Sequence, residues 1–146
     1  LMMLSHETKN DITIKRQYGD IPQLLCYPGK LNQVFMNILG NAIDAIKSKD
    51  DRMLQDNPKA EITIQTSISE RECKRYALIM ITDTGSGISE KARDHLFEPF
   101  FTTKEVGEGV GLGLSISHSI IQEHNGLIEV ESELGKGATF KVYVPL

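Results

Sequence analysis

Residues 83–114 read D-T-G-S-G-I-S-E-K-A-R-D-H-L-F-E-P-F-F-T-T-K-E-V-G-E-G-V-G-L-G-L, from Asp83 to Leu114. Six of the chain's twelve glycines fall in this stretch: Gly85 and Gly87, then Gly107, Gly109, Gly111 and Gly113. Glycine weakens ordinary helices and strands, so that density predicts backbone held at positive φ or brought close to a ligand. Between the two clusters lie Phe97-Glu98-Pro99-Phe100-Phe101 and Thr102-Thr103-Lys104. The flanks say more than the glycine count. Upstream, the apolar run Tyr76-Ala77-Leu78-Ile79-Met80-Ile81 ends at Thr82-Asp83, a buried strand that delivers a carboxylate to a loop. Downstream, Leu114 to Ile121 carries apolar residues at helical spacing, so the second cluster feeds a helix N-terminus, where free N–H groups and the dipole favour phosphate. Gly109-Val110-Gly111-Leu112-Gly113-Leu114 lacks the Lys-Ser/Thr of a P-loop and the preceding first strand of a dinucleotide-binding βαβ unit. Taken alone, it fits a mobile surface loop better than a phosphate site.

Outward from that stretch, the longest helical pattern runs from Leu31 to about Lys49, with Leu31, Val34, Phe35, Ile38, Leu39, Ala42 and Ile46 on one apolar face. Gln33, Asn37 and Asn41 follow one another at i, i+4 and form a polar row beside that face. Asparagine is a mediocre helix former, so two of them in mid-helix need a reason. A solvated strip is one. Amide oxygens for a hard cation such as Mg²⁺, shared with substrate phosphates, are the other. The second is preferred for Asn41, and Asn37 fits either.

Strands are expected at Ile12–Tyr18 on a sheet edge, Glu61–Ile68, Tyr76–Thr82, Leu127–Ser132 and Ala138–Val144, with a short extended piece at Leu24–Tyr27. The charged run from Glu70 to Arg75 reads as a solvated hairpin tip, and Glu133-Leu134-Gly135-Lys136-Gly137 as a tight hairpin. Ser89 can cap a short helix through about His95, and Asn125-Gly126 should stop the last helix. The order strand, helix, two strands, short helix, helix, two strands predicts an α+β domain. It is a two-layer α/β sandwich whose mixed, mostly antiparallel sheet carries about three helices on one face.

At 146 residues, with 40% hydrophobic and 25% charged residues, the chain is sized for one soluble globular domain. A net charge of −4 argues against a nucleic-acid partner, and no apolar run is long enough to span a membrane. Cys26 and Cys73 have no metal-ligand spacing and read as free thiols in a reducing cytoplasm, one buried and one near the charged hairpin. The opening Leu1-Met2-Met3-Leu4 reads as the end of an upstream helix, which places residues 1–10 in a linker or dimerisation helix and 11–146 in the domain proper.

Together these pieces resemble the catalytic, ATP-binding domain of a sensor histidine kinase, within the GHKL ATPase superfamily and its Bergerat fold. The resemblance rests on Asn37-Ile38-Leu39-Gly40-Asn41-Ala42, Asp83-Thr84-Gly85-Ser86-Gly87-Ile88, Phe97-Glu98-Pro99-Phe100-Phe101, Gly109-Val110-Gly111-Leu112-Gly113-Leu114 and Gly135-Lys136-Gly137-Ala138-Thr139-Phe140, in the family's order. It implies ATP and Mg²⁺ as ligands, Asn41 as the principal metal ligand and Asn37 as its companion along the phosphates. It further implies that Asp83 accepts a hydrogen bond from the adenine amine, with Gly85, Gly87 and Ile88 passing close to the base. Phe97 to Gly109 would be the lid, including Phe100, Thr103 and Lys104, although Pro99 and the phenylalanines serve equally well as packing. Gly109, Gly111, Leu112, Gly113 and Leu114 would line the phosphates, and Thr139 would support Asp83.

Relatives that hydrolyse ATP carry a Glu one turn before the magnesium Asn, where it can act as general base; this chain has Asn37 there. That favours transfer to a histidine over hydrolysis. Asp44 stands where many histidine kinases have a basic residue, and Lys104 is the candidate replacement. His6 is too close to Asn41 to be the phosphoacceptor, and His95, His118 and His124 read as structural. The acceptor is therefore expected on a histidine-bearing dimerisation domain of the same parent protein, with a response regulator downstream. The isolated domain is expected to be a cytoplasmic monomer and the parent a homodimer. The alternatives are a Ser/Thr protein kinase of the same fold and a nucleotide-sensing docking module without transfer.

Overall fold

The computed structural model of the chain describes residues 12–23, 25–50, 60–98 and 113–146, with main chain alone at 48–50. The elements are β1 (Ile12–Tyr18), α1 (Pro28–Asp50), β2 (Ala60–Arg71), β3 (Lys74–Asp83), α2 (Glu90–Arg93), α3 (Gly113–Glu123), β4 (Leu127–Glu133) and β5 (Gly137–Pro145). Their order is the predicted one. α1 starts three residues before its apolar face does, because Pro28 suits a first helical turn and Leu31 N–H already reaches the Tyr27 carbonyl at 3.0 Å. Residues 25–27 form no strand, and Leu24 lies outside the described residues. The Ser89 hydroxyl caps α2 by accepting from Ala92 N–H at 3.0 Å, but α2 ends at Arg93 and turns carry the chain through His95.

The strands lie in the order β1-β2-β3-β5-β4, with β1 parallel to β2 and every other pair antiparallel. A parallel neighbour needs a long crossover, and α1 lies between β1 and β2 in the chain. Register defines one apolar face: Ile62, Asp83, Ala138 and Ser132 form one cross-strand row, Ile64, Ile81, Phe140 and Val130 the next, and Thr66, Ile79, Val142 and Ile128 the third. Against this face pack Val34, Ile38, Leu39, Ile43 and Ile46 of α1 and Ile120 and Ile121 of α3. Phe35, expected in the core, is only partly buried, and Ile43, not expected there, is buried. Asp83 is the one carboxylate in a row of core positions, so the sheet points it under the helices instead of into solvent.

Two turns are set by backbone conformation. Glu72 and Cys73 both take positive φ (50° and 66°), the arrangement of a two-residue type I′ hairpin that keeps the twist of β2 and β3. Asn125 at φ 58° ends α3, and Gly126 N–H returns to the Ile121 carbonyl at 2.9 Å. Cys26 is half-buried and Cys73 exposed, both as free thiols. Among the described residues no helix is long and apolar enough to cross a membrane.

Candidate functional site

Asp83 is 3% exposed, and its Oδ1 accepts from Gly85 N–H at 2.8 Å, a turn closed by a side chain over its own following loop. That loop is tied on three sides. Thr84 N–H donates to the Glu61 carbonyl (3.1 Å), while Glu61 N–H donates to Thr84 Oγ1 (3.0 Å). Ser86 N–H donates to the Ala45 carbonyl of α1 (3.1 Å), and Gly135 N–H to the Ser86 carbonyl (2.7 Å). Ile88 N–H donates to Ser132 Oγ (2.7 Å), whose own proton goes to the Gly137 carbonyl (2.9 Å).

Gly85 and Gly87 are demanded by this packing. A Cβ on Gly85 would stand 2.7 Å from the carbonyl carbon and Cβ of Ala45, so the loop touches α1 too closely for any side chain. Gly87 sits at φ 74° and a Cβ there would meet the Glu133 carbonyl oxygen at 2.2 Å. The fit of the loop between α1 and the β4–β5 hairpin is thus by itself a reason for glycine at both positions. Gly85→Ala is expected to cost about 1–3 kcal/mol of stability through overpacking. A fall in thermal midpoint against wild type checks this.

The other end of α1 holds α3. Asn37 Nδ2 donates to the Gly113 carbonyl (3.1 Å) and to Ser117 Oγ (3.2 Å), and Ser117 Oγ donates to the same carbonyl (2.9 Å). Ser117 is fully buried. This use of Asn37 explains an asparagine in mid-helix: its nitrogen fixes the first turn of α3, and its oxygen makes no hydrogen bond to a described residue. Gly113 lies 3.6 Å, measured from a notional Cβ, from the Asn37 side chain, and Leu114 packs at the core margin. Asn41 lies one turn further along α1, half-buried, and its amide makes no hydrogen bond to a described residue. Next on the same stripe comes Ala45, against Gly85.

Thr139 requires a correction. Strand alternation puts its side chain on the opposite face of the sheet from Asp83, with its Oγ1 3.1 Å from Thr82 Oγ1. The β5 residue beside Asp83 is Ala138. A step of one residue along a strand changes face, so the sequence assignment missed by one position. Phe100, Thr103, Lys104, Gly109, Gly111 and Leu112 lie outside the described residues, as does His6. Phe97 is described, and its ring stacks on His118 of α3 with centroids 5.2 Å apart. His124 takes a structural position: Tyr27 N–H lies 3.0 Å from its Nε2, and its Nδ1 lies 2.8 Å from the Ile120 carbonyl. Lys30 and Glu123 pair beside it at 2.7 Å, with the Glu123 carboxyl held below its ordinary range by the hydrogen bond from Lys30. There are grooves of about 360 and 330 Å³, one between the outer faces of α1 and α3 and one beside Thr82, Asp83 and Thr139. The first is remote from Asp83. The second is lined by residues of both sheet faces, Thr82 and Thr139 on one and Asp83, Ala138 and Ser132 on the other. Asp83 shares its row with core residues packed under the helices, so we take the site to be the helix side.

Sequence reasoning missed Ala45, Ser117 and Ser132. Only Ser117 left a signal, a serine on the inner stripe of an otherwise apolar helix face.

The model of the histidine kinase-, DNA gyrase B-, and HSP90-like ATPases matches residues 26–146. The sensor kinase CckA of Brucella abortus is 37% identical over 146 residues, which is 99% of this chain and 15% of that protein. Sporulation kinase E of Bacillus subtilis is 42% identical over 127 residues, 87% of this chain and again 15% of the relative. The chain therefore spans a small part of the curated relatives it matches. Among solved structures, the catalytic domain of histidine kinase ThkA aligns with a TM-score of 0.75 at 25% identity, covering 99% of this chain and 87% of that one. Full-length ShkA in complex with AMPPNP aligns with a TM-score of 0.75 at 26% identity, covering 99% of this chain and 28% of that one.

Proposed function

Because the chain belongs to the family of histidine kinase-, DNA gyrase B-, and HSP90-like ATPases, we propose that it binds Mg²⁺-ATP and donates the γ-phosphoryl group to a histidine on a separate domain of its parent protein. One observation carries the reading. A single stripe of α1 touches the Asp83 loop at Ala45 and the first turn of α3 at Asn37, with Asn41 between them. Eight residues of helix span about 12 Å, so the stripe joins a base-reading end to a phosphate-holding end.

In this reading Asp83 is the acceptor for the adenine amine, an ionised carboxylate being acceptor only. Gly113 and Leu114 open α3 toward the phosphates, where a helix N-terminus favours negative charge. Lys104, outside the described residues, is in this reading the source of the positive charge that Asp44 does not supply. Asn41 and, through its remaining oxygen, Asn37 are neutral oxygen donors of the kind Mg²⁺ takes when phosphates supply the rest. The ion, when bound, neutralises charge on the phosphate oxygens. The acceptor imidazole nitrogen forms the new P–N bond as the bond from the γ-phosphorus to the bridging oxygen breaks, and ADP leaves with that electron pair. What this chain contributes is positioning, because a loose phosphoryl transfer needs alignment more than covalent chemistry. Asn37 cannot serve as general base toward water, which accords with transfer over hydrolysis.

The parent would be a homodimer that places the acceptor histidine on its dimerisation helices and passes the phosphoryl group to a response regulator. In the test, the domain is mixed with labelled Mg²⁺-ATP and a dimerisation domain taken from a sensor kinase relative. Acid-labile, base-stable label on that domain is the expected result. Nucleotide binding with no transfer to any such acceptor would replace this reading with that of a docking module.

A further inference from the structure

Ser132 lies on β4, two strands from Asp83 but in the same cross-strand row and on the same face. Its hydroxyl both accepts and donates. It accepts from Ile88 N–H at 2.7 Å and donates to the Gly137 carbonyl at 2.9 Å, so one oxygen joins the end of the Asp83 loop to the first residue of β5. The loop is also tied by main-chain bonds at Thr84 and Ser86 and by the Thr84 hydroxyl at its beginning. Residues 84–88 are therefore pinned by side chains at both ends, Thr84 to β2 and Ile88 to β4. Between the pins stands Gly85, whose N–H orients the Asp83 carboxylate.

Building on the adenine-reading role of Asp83, we infer that Ser132 is a positioning residue for base recognition: it sets the discrimination between adenine and other purines without touching the nucleotide. The physical reason is that a carboxylate recognises one edge of a base only when its oxygens are held at a fixed angle. Here that angle depends on a loop whose last N–H, at Ile88, is held by one hydroxyl beyond the main-chain bonds at Ser86. Without it, Ile88 N–H and the Gly137 carbonyl each lose a partner, and the loop can relax away from the pose that presents Asp83. Alanine at 138, between Asp83 and Ser132 in the row, offers no hydroxyl to substitute.

The test measures Kd for Mg²⁺-ADP and Mg²⁺-GDP in the whole domain, for wild type, Ser132→Ala and Ser132→Cys. The cysteine variant nearly keeps the volume but offers only a weak acceptor. Both variants are expected to bind ADP about tenfold more weakly, with GDP binding little changed, so that the ADP-to-GDP preference falls about tenfold. A role confined to folding would lower the thermal midpoint and leave that ratio where it was, and this outcome overturns the inference. Should the alanine variant be too unstable to titrate, the cysteine variant decides. A wild-type domain with no preference for ADP would overturn both this inference and the adenine-reading role of Asp83, whereas an intact preference in the variants overturns only the former.

Discussion

Asp83→Asn is expected to abolish useful ATP and ADP binding while leaving the fold in place. The carboxylate is buried, sits in a row with Ile62 and Ala138, and already accepts one bond from Gly85. An amide of the same shape can still take that bond, which protects the loop. It then presents an NH₂ where the base amine needs an acceptor. Losing a desolvated, charge-assisted hydrogen bond costs about 2–5 kcal/mol, or about 30- to 4,000-fold in Kd. Calorimetric titration with Mg²⁺-ADP, beside circular dichroism of the same samples, checks both halves. A variant that binds like wild type removes Asp83 from the base-reading role.

Asn41→Ala is expected to act on the chemistry more than on the fold. Its amide makes no hydrogen bond to a described residue, so truncation breaks no hydrogen bond among the described residues. Removing a metal ligand that helps neutralise charge at the transferred group should lower phosphoryl transfer by about 100- to 1,000-fold. The same substitution should leave the metal-free affinity for ADP within about threefold, since Asn41 makes no hydrogen bond to the Asp83 loop, which α1 meets at Ala45, about 6 Å further along the helix. Measuring ADP binding with and without EDTA separates the two. If Asn41→Ala weakened metal-free and metal-loaded binding equally, Asn41 would be a packing residue and the magnesium site would lie elsewhere.

How far these assignments could be read without coordinates depended on the kind of interaction. Among the described residues, period-2 and period-3.6 hydrophobicity located the strands and the two longer helices, since burial acts on each residue of an element separately, while α2, which buries nothing, was found from its Ser89 cap. Asp83 and Asn37 were legible because a carboxylate at a strand end and an amide in mid-helix are locally unfavourable and so demand a reason. Thr139 was misread because the pattern fixes a strand better than it fixes which neighbour faces which; its face follows from the pairing of Asp83 with Ala138. Ser132 left no trace, and Ser117 only that of a serine among apolar residues, for a different cause. Their partners lie 44 and 80 residues away in the chain, and a hydroxyl satisfied by a distant main-chain or amide group looks like any polar residue. Ala45 carried no signal at all, because its contribution is to be small where Gly85 presses on it.

The stripe on α1 has a bearing on which changes of length the chain can accept. Asn37, Asn41 and Ala45 act on three different groups, but they are held in phase by nothing more than helical pitch. One residue inserted between Asn37 and Ala45 would turn everything beyond it through about 100°, carrying one anchor off the sheet side and uncoupling the grip on α3 from the grip on the Asp83 loop. The β2–β3 tip at Glu72-Cys73 imposes no such phase on the site, because lengthening it changes only an exposed hairpin end. The molecule therefore works as a gauge of fixed calibre: lineage-specific insertions have room at that hairpin, while the spacing along α1 admits substitution but not addition.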